Sequence, residues 1–588
     1  MEININNKVM KLRIRYILVV CLYFFSFSCS EDYLEVEPKA AVTQHDLATD
    51  QGVDGIIVGA YKGLTWSITG EYGGYSSGVF SDNMSDDRSS GTYNYSLNSG
   101  NSRWTFIYTI IQRCNDALRT LAMAQENGTV TPERAQQLAG EARFLRGLFY
   151  IYLEATFGEH VPWVDETVSF QNNNYYVSNE PSIWPQVEAD FQFAAENLSE
   201  TNAQVGRANS WAAKAFLAKT YVWQLKYAEA KPVLEDIIAN GVTVNGLDYD
   251  LNPYYWNNFN TVGKHGPEVV FALQNEVNTG AYGGNAQDMY NGPYGGPASP
   301  CCGWLTPSED LVNAYQTDPV TGLPLLFGAY LENPVASDQG LSSSDPFTPH
   351  TGPLDPRLDH SVGRRGIPFL DWGVHPGMAW VRFQSTQGPY SARKNIASQA
   401  RVSAERQNAQ TTNAYNLIRF ADVLLWAAEM EVEIGSLAKA EEYINRIRAR
   451  AANPDNWVKK YIDDNNPLGG FSDEPAANYK VGLYAGQFEA NGKAYAREAV
   501  RMERRLELAL EHHRYHDLQR YDKQEPGHMA TTLNNFLDYR ATIPDLVTNY
   551  VDPYRFVQGR HEYWPIPQEQ IDLSVVEGTS VLVQNPGY

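Results

Sequence analysis

Cysteine is scarce: the 588 residues hold five, and their places leave no disulfide framework. Cys21 falls inside an N-terminal apolar run, Cys29 closes it, Cys114 stands alone on an apolar helical pattern, and Cys301 and Cys302 are neighbours. The fold must rest on a buried core, and a chain of this length can bury a large one. Positive charge is scarce too. Lys and Arg number 46 against 69 Asp and Glu, a formal charge of −23, which argues against nucleic acid as a partner. The deficit is spread along the chain rather than gathered in one tail, so it reads as a solvated exterior.

Long apolar runs are also missing, with one exception from Tyr16 to Ser28. This run is shorter than the roughly 20 residues a spanning helix needs, and no basic stop-transfer flank follows it. Lys8, Lys11, Arg13 and Arg15 precede it, which is the shape of a signal peptide over residues 1–28. Its removal takes away four basic side chains and Glu2, leaving a charge of about −26 by the same counting. Ser28 followed by Cys29 is what bacterial lipoprotein processing uses, although Ser26 stands where that box commonly has Leu. Cys29 is therefore expected to be the lipidated first residue of the mature chain. Each buried methylene contributes about 0.8 kcal/mol, so several acyl chains hold where one would not. Ser30-Glu31-Asp32 then reads as an acidic signal for export to the cell surface.

Catalytic and metal motifs are approached but not completed. Gly74-Tyr75-Ser76-Ser77-Gly78 has the G-x-S-x-G spacing of a nucleophile elbow, yet its flanks supply neither the buried strand nor the helix that the chemistry requires. It reads as an aromatic-rich loop. His512 and His516 stand one helical turn apart, which suits zinc, but HExxH is absent and they read as structural histidines. No metal or other cofactor is expected. The adjacent Cys301 and Cys302 are expected to form a vicinal disulfide that stiffens a turn presenting Trp304, and Cys114 reads as a small buried hydrophobe.

What is present is helical periodicity in paired segments. Trp211, Ala215, Ala218 and Val222 fall on one stripe; after a break near Leu225 to Tyr227, Ala230, Val233, Leu234 and Ile237 form the next, ended by Gly241. Leu417, Ala421, Leu424 and Ala428 line a second such face, and after Gly435-Ser436 a further stripe runs through Ala440, Tyr443, Ile444, Ile447 and Ala451. Trp104 to Gln125 with Glu133 to Phe157 make a third pair, and Lys493 to Arg520 supplies part of a fourth. Each pair has about the length of a tetratricopeptide unit. Between about 245 and 410 the chain turns to Gly, Pro, Asn, Tyr and Trp with brief apolar runs. The expectation is a mainly α fold of tetratricopeptide-like helix pairs, an α-α superhelix, carrying a large loop-rich, minor-β insertion. It divides into residues 29–240 and 241–588 within one compact unit, with function sought on the loops.

Several motifs in order resemble the SusD/RagB family of surface glycan-binding lipoproteins. They include GEARFLRGLFYIYLEATFGEHVPWV from Gly140, GRANSWAAKAFLAKTYVW, DPRL from Asp355, GPYSARK from Gly388, LIRFADVLLWAAEMEVEIG from Leu417, MERRLELALEHHRYHDLQRY from Met502, YWPIPQEQID from Tyr563 and the terminal QNPGY. The resemblance covers nearly the whole mature chain. It implies a non-enzymatic binding protein, lipid-anchored at the outer membrane and exposed on the cell surface. It also implies a lid on a SusC-like TonB-dependent transporter, to which the captured oligo- or polysaccharide passes. A peptide-binding member and a surface glycoside hydrolase are the alternatives.

Sugar binding needs aromatic faces for the C–H side of a pyranose and polar groups for its hydroxyls. Two segments hold both. In the first, Trp66, Tyr72, Tyr75, Tyr93 and Tyr95 alternate with Asp82, Asn83, Asp86, Asp87 and Arg88; in the second, Tyr282, Tyr290, Tyr294 and Trp304 stand among Asn285, Gln287, Asp288 and Asn291. The expected glycan contacts are Trp66, Tyr72, Tyr75, Asp82, Asn83, Asp86, Arg88, Tyr290, Tyr294 and Trp304. Trp372 and Trp380, in another Gly-rich loop, rank below them. Arg88 alone is basic there, which favours a neutral glycan.

Overall fold

The computed structural model describes residues 42–69, 81–86, 93, 95–279, 292–299, 301–408, 410–546 and 555–588. The signal segment, Cys29 and the Gly74 to Gly78 pattern lie outside the described residues. Helices dominate. Helices α1 (Asp50–Thr69), α2 (Asn101–Glu126), α3 (Pro132–Phe157), α4 (Trp184–Asn197), α5 (Ser210–Trp223) and α6 (Tyr227–Asn240) follow one another, each packed on the next. A short helix, α7 (Glu309–Ala314), lies in the loop-rich stretch that follows. Helix α8 (Phe420–Ile434) then packs on α6, α9 (Leu437–Ala452) on α8, and α10 (Gln487–Glu507) on both.

Local chemistry sets the starts. Thr131 caps α3 by accepting from the Arg134 N–H, with Pro132 in the first turn; Asn209 caps α5 through the Ala212 N–H at 2.8 Å, and Ser436 caps α9. The Trp211, Ala215, Ala218 and Val222 stripe is buried as its spacing predicts, and Ala230, Leu234 and Ile237 meet it from α6. Helix α8 is buried on every side from Phe420 to Val432, so it is the central helix, enclosed by its neighbours. Cys114 is fully buried on α2, and burial pushes its thiol up to about 12.

Strands are few and short. Val269–Leu273 (β2) pairs antiparallel with Tyr415–Arg419 (β4), Met84–Asp86 (β1) with Leu305–Pro307 (β3), and Lys459–Tyr461 (β5) with Phe471–Pro475 (β6). The periodicity reading that placed Leu417 on a helix is corrected here. Leu417 lies on β4, and the helix starts only at Phe420, where the Asp422 carboxylate accepts the Arg419 N–H at 3.2 Å.

The expected helix from Lys493 to Arg520 is likewise broken. Helix α10 carries a kink at Gly492, just before this span, and stops at Glu507. Leu510 and His512 take left-handed backbone angles before α11 (Arg514–Gln524) and α12 (His528–Ala541). Buried charges account for the break. Glu507 accepts from Arg357, Arg419 and Arg450, while Glu511 on the turn accepts from Arg419 and from Lys394 at 2.8 Å. Asp517, one turn into α11, accepts from Arg504 and Arg520. Burial alone would raise these acids, but the surrounding guanidinium groups hold Glu507 well below the usual carboxylate range and Glu511 at about 2. Arg357 of the DPRL motif also binds Asp355 and Glu503, so this ion cluster ties the loop-rich stretch to the closing helices.

Candidate functional site

A strand of the first aromatic segment pairs with the strand that follows the second. In the β1 and β3 pairing, Asp86 lies opposite Leu305 and Ser85 opposite Thr306, so the chain leaving Trp304 enters a ladder with the first segment. Ser308 strengthens the join, its N–H donating to the Asn83 carbonyl at 3.0 Å and its hydroxyl to the Asp82 carbonyl at 2.6 Å.

Asp82 and Asn83 are corrected from ligand contacts to bracing residues. They are 2% and 4% exposed. The Asp82 carboxylate takes a bidentate pair of hydrogen bonds from Arg514, both at 2.8 Å, and an ion pair from Arg505; the Asn83 side chain accepts from Arg505 at 2.8 Å. Burial raises the Asp82 carboxyl, and the two arginines more than reverse that, leaving it far below the usual range. These contacts fix the edge from which the loop departs. Tyr93 and Tyr95 are also buried, packed around His561. Trp66 lies in the last turn of α1 rather than on a loop, and Asp86 ends β1. Tyr72, Tyr75, Arg88 and Tyr290 lie outside the described residues.

Tyr294 and Trp304 do come together, around a residue that sequence reasoning missed. The Arg382 guanidinium carbon stands 5.7 Å from the Tyr294 ring centre, 6.0 Å from Trp304 and 5.1 Å from Phe383. Tyr294 is 44% exposed and Phe383 48% exposed, with Trp304 and Arg382 half-buried between them. A cation over a ring contributes about 0.5–1 kcal/mol at an exposed site, enough to bias the rotamers of three rings at once.

The backbone under this face is tied at several points. Arg382 Nη1 donates to the Cys302 carbonyl at 3.3 Å, and the Tyr294 N–H donates to the Trp380 carbonyl at 3.0 Å. The buried Gln387 amide donates to the carbonyls of Gly303 and Trp304, both at 2.9 Å, while its own oxygen accepts the Phe383 N–H at 3.2 Å. One side chain thus sets the spacing of two of the rings. Cys301 and Cys302 are joined as an adjacent disulfide in the turn that leads to Trp304. Gly303 follows at φ 58°, and a Cβ there would come within 3.0 Å of the Tyr294 Cβ.

Trp380 ties this face to a small core of which Trp372 is also part. Trp380 meets Phe369 and His375 edge-on, at 5.8 and 5.3 Å, and the Trp372 indole N–H donates to the Ala397 carbonyl at 2.9 Å. Together with Ala298, Leu370, Ile396 and Trp256 they form a small core separate from the main one. Burial pushes His375 down to about 3, so it is neutral here. In sequence, Trp380-Val381-Arg382-Phe383 places arginine between aromatics, the one local signal that pointed to the missed pair.

His512 lies in the turn between α10 and α11 and His516 in α11, so they do not share one helical face. The His512 ring stacks on Tyr415 at 6.4 Å, and His516 bonds to Gln519 at 3.0 Å. Burial pushes them to about 4 and about 3.

The face can offer flat apolar surfaces flanked by guanidinium donors. Comparison with known proteins gives it a context. A family model described as SusD family matches residues 267–588, and another, described as starch-binding associating with outer membrane, matches residues 32–222. A SusD-like protein of Formosa agariphila is 25% identical, over 95% of this chain and 97% of its own. A SusD superfamily protein from Bacteroides vulgatus shares the fold at a TM-score of 0.64 and 19% identity, over 92% of this chain and 100% of its own. Surface glycan-binding protein A from Bacteroides thetaiotaomicron, solved in complex with laminarihexaose, has a TM-score of 0.58 at 18% identity, over 91% of this chain and 99% of its own.

Proposed function

The chain belongs to the SusD family, and from that premise we propose that it is a binding protein for neutral oligo- or polysaccharide rather than an enzyme. The observation that carries this is the face of Tyr294, Trp304 and Phe383 gathered around Arg382. Rings of this kind stack on the apolar side of a pyranose, while guanidinium, amide and carboxylate groups pair with hydroxyls. Repeated sugars meeting several rings give a long chain an avidity that a short one lacks. Trp66, Tyr72, Tyr75, Asp86, Arg88 and Tyr290 are further glycan contacts in this reading, on the aromatic and polar character of their segments.

The protein is held at the cell surface by acyl chains on Cys29, in the outer membrane, and passes its ligand to a SusC-like TonB-dependent transporter. No described helix is long and apolar enough to cross a membrane. Affinity electrophoresis through gels containing laminarin, starch, xylan or galactomannan tests the binding. Retardation by at least one neutral polysaccharide, with no shorter products after prolonged incubation, is the expected result. Turnover of any of them defeats the binding-only reading.

A further inference from the structure

A second concave site borders the small aromatic core through Trp256 and Leu370 and shares no lining residue with the face just described. A cavity of about 400 Å³ is lined by Tyr254, Trp256, Trp457 and Phe471 together with Asn257 and Asp371. A neighbouring cavity of about 210 Å³ shares Trp256 and Ser398 with it. The larger one falls within the roughly 300–1,000 Å³ of small-ligand sites.

Its walls are braced. The Asn456 side chain accepts the Tyr255 N–H at 2.8 Å and donates to the Pro253 carbonyl at 2.8 Å; the Trp457 indole donates to the Ala451 carbonyl at 3.1 Å. The Tyr461 hydroxyl donates to the Leu370 carbonyl at 2.7 Å and its ring stacks on Phe471 at 5.1 Å, fixing the β5 and β6 hairpin against the cavity. Trp457 and Phe471 therefore hold their places without a ligand, which lowers the cost of binding.

Two buried polar residues stand in the lining. His360 is 9% exposed and Arg393 5% exposed, and the Nδ1 of the first and the Nε of the second lack hydrogen-bond partners among the described residues. Burial, then the Arg393 charge, pushes His360 down to about 3, so it is neutral; its Nε2 donates to the Asn456 carbonyl at 2.6 Å and Nδ1 is left as an acceptor. Asp371 and Asp455 are matched by Arg393 and Lys459 around the lining, which favours an uncharged ligand.

We propose that this cavity is a second carbohydrate subsite, taking one or a few neutral sugar residues between Trp256, Trp457 and the exposed rings of Tyr254 and Phe471. It rests on the reading of the chain as a carbohydrate binder and adds a place lined by none of the residues of the first face. Two subsites on one chain make the affinity for a polymer exceed that for a short oligosaccharide.

The test uses the mature protein, the polysaccharide panel above and the hexasaccharide of whichever polymer retards it. Tyr254 and Phe471 are about half exposed, so Tyr254→Ala/Phe471→Ala is the first variant; Ser398→Trp, which fills the wall shared by the two cavities, serves if the first unfolds. The expected result is two hexasaccharides per parent chain, one per variant, and polymer binding weakened about 3–10-fold in the variant. One hexasaccharide per parent chain, lost on Trp304→Ala and untouched by either cavity variant, overturns the second subsite and leaves the first face standing. Loss in the cavity variants alone keeps the subsite and removes the first face. Retardation by no polysaccharide, or a tryptic peptide mixture bound in their place, overturns both.

Discussion

Glu507→Gln isolates what the buried ion cluster contributes, because the substitution keeps the shape and removes one charge. Glu507 is fully buried and meets Arg357 at 2.9 Å, Arg419 at 2.6 Å and Arg450. In the variant three guanidinium groups lose their shared counter-charge, although Asp355, Glu503, Glu268 and Glu511 remain beside them. Breaking a buried pair costs about 3–5 kcal/mol. With an unfolding entropy near 2.1 cal/mol/K per residue, roughly 560 mature residues give about 1.2 kcal/mol/K, so the loss appears as a fall in Tm of about 2.5–4 °C. Scanning calorimetry reads it, with Glu442→Gln as control, since the Glu442 pair with Lys439 is exposed and worth under about 1 kcal/mol.

The pH dependence sharpens the test. A carboxyl depressed in the fold stabilises above its unfolded value near 4.5, and that contribution is lost as pH falls toward the folded value. The gap between parent and Glu507→Gln is therefore full at pH 7 and narrows below about 4.5. An unchanged Tm at pH 7, or a gap that widens in acid, refutes the assignment of Glu507 as the shared counter-charge.

Further outcomes follow from other groups. His375 and His516, both pushed down to about 3, bind protons in the unfolded chain below its ordinary value of 6.5 but not in the fold. Stability should therefore fall as pH drops from about 6.5, by up to about 1.4 kcal/mol per unit for each, and a His516→Gln variant should show a shallower slope in calorimetry between pH 6 and 4. Iodoacetamide should add to no cysteine of the native mature protein, should reach Cys114 alone in denaturant, and should add to Cys301 and Cys302 only after reduction, as read by peptide mass. Cys29→Ala should leave the protein out of the membrane fraction of its host on centrifugation; equal recovery with membranes would mean that the anchor lies elsewhere.

How much of this was legible in the sequence depended on whether the partner was near in the chain. The α5 and α6 stripes were readable because Trp211, Ala215, Ala218 and Val222 repeat at helical spacing and the turn residues lie between. Leu417 was misread because a buried five-residue strand runs straight into a buried helix, and apolar spacing cannot separate the two. The turn at Leu510 and His512 was hidden because nothing local marks non-glycine residues for left-handed angles; distant Arg419 and Lys394 impose it. Asp82 and Asn83 looked like surface loop residues because their arginines lie more than 420 residues away in sequence. Of the candidate face, Tyr294 and Trp304 were legible as aromatics among Gly and Asn. Arg382 and Phe383 were not, since only the tertiary fold brings their loop beneath Tyr294.

The most direct test of the binding face is the electrophoretic mobility of Tyr294→Ala/Trp304→Ala/Phe383→Ala in a gel containing the neutral polysaccharide that retards the parent, beside a gel without it. The triple variant is predicted to lose most of the retardation while keeping the parent's mobility in the plain gel and its Tm within a few degrees. Retardation equal to the parent's in a folded triple variant would contradict the account and place the glycan elsewhere.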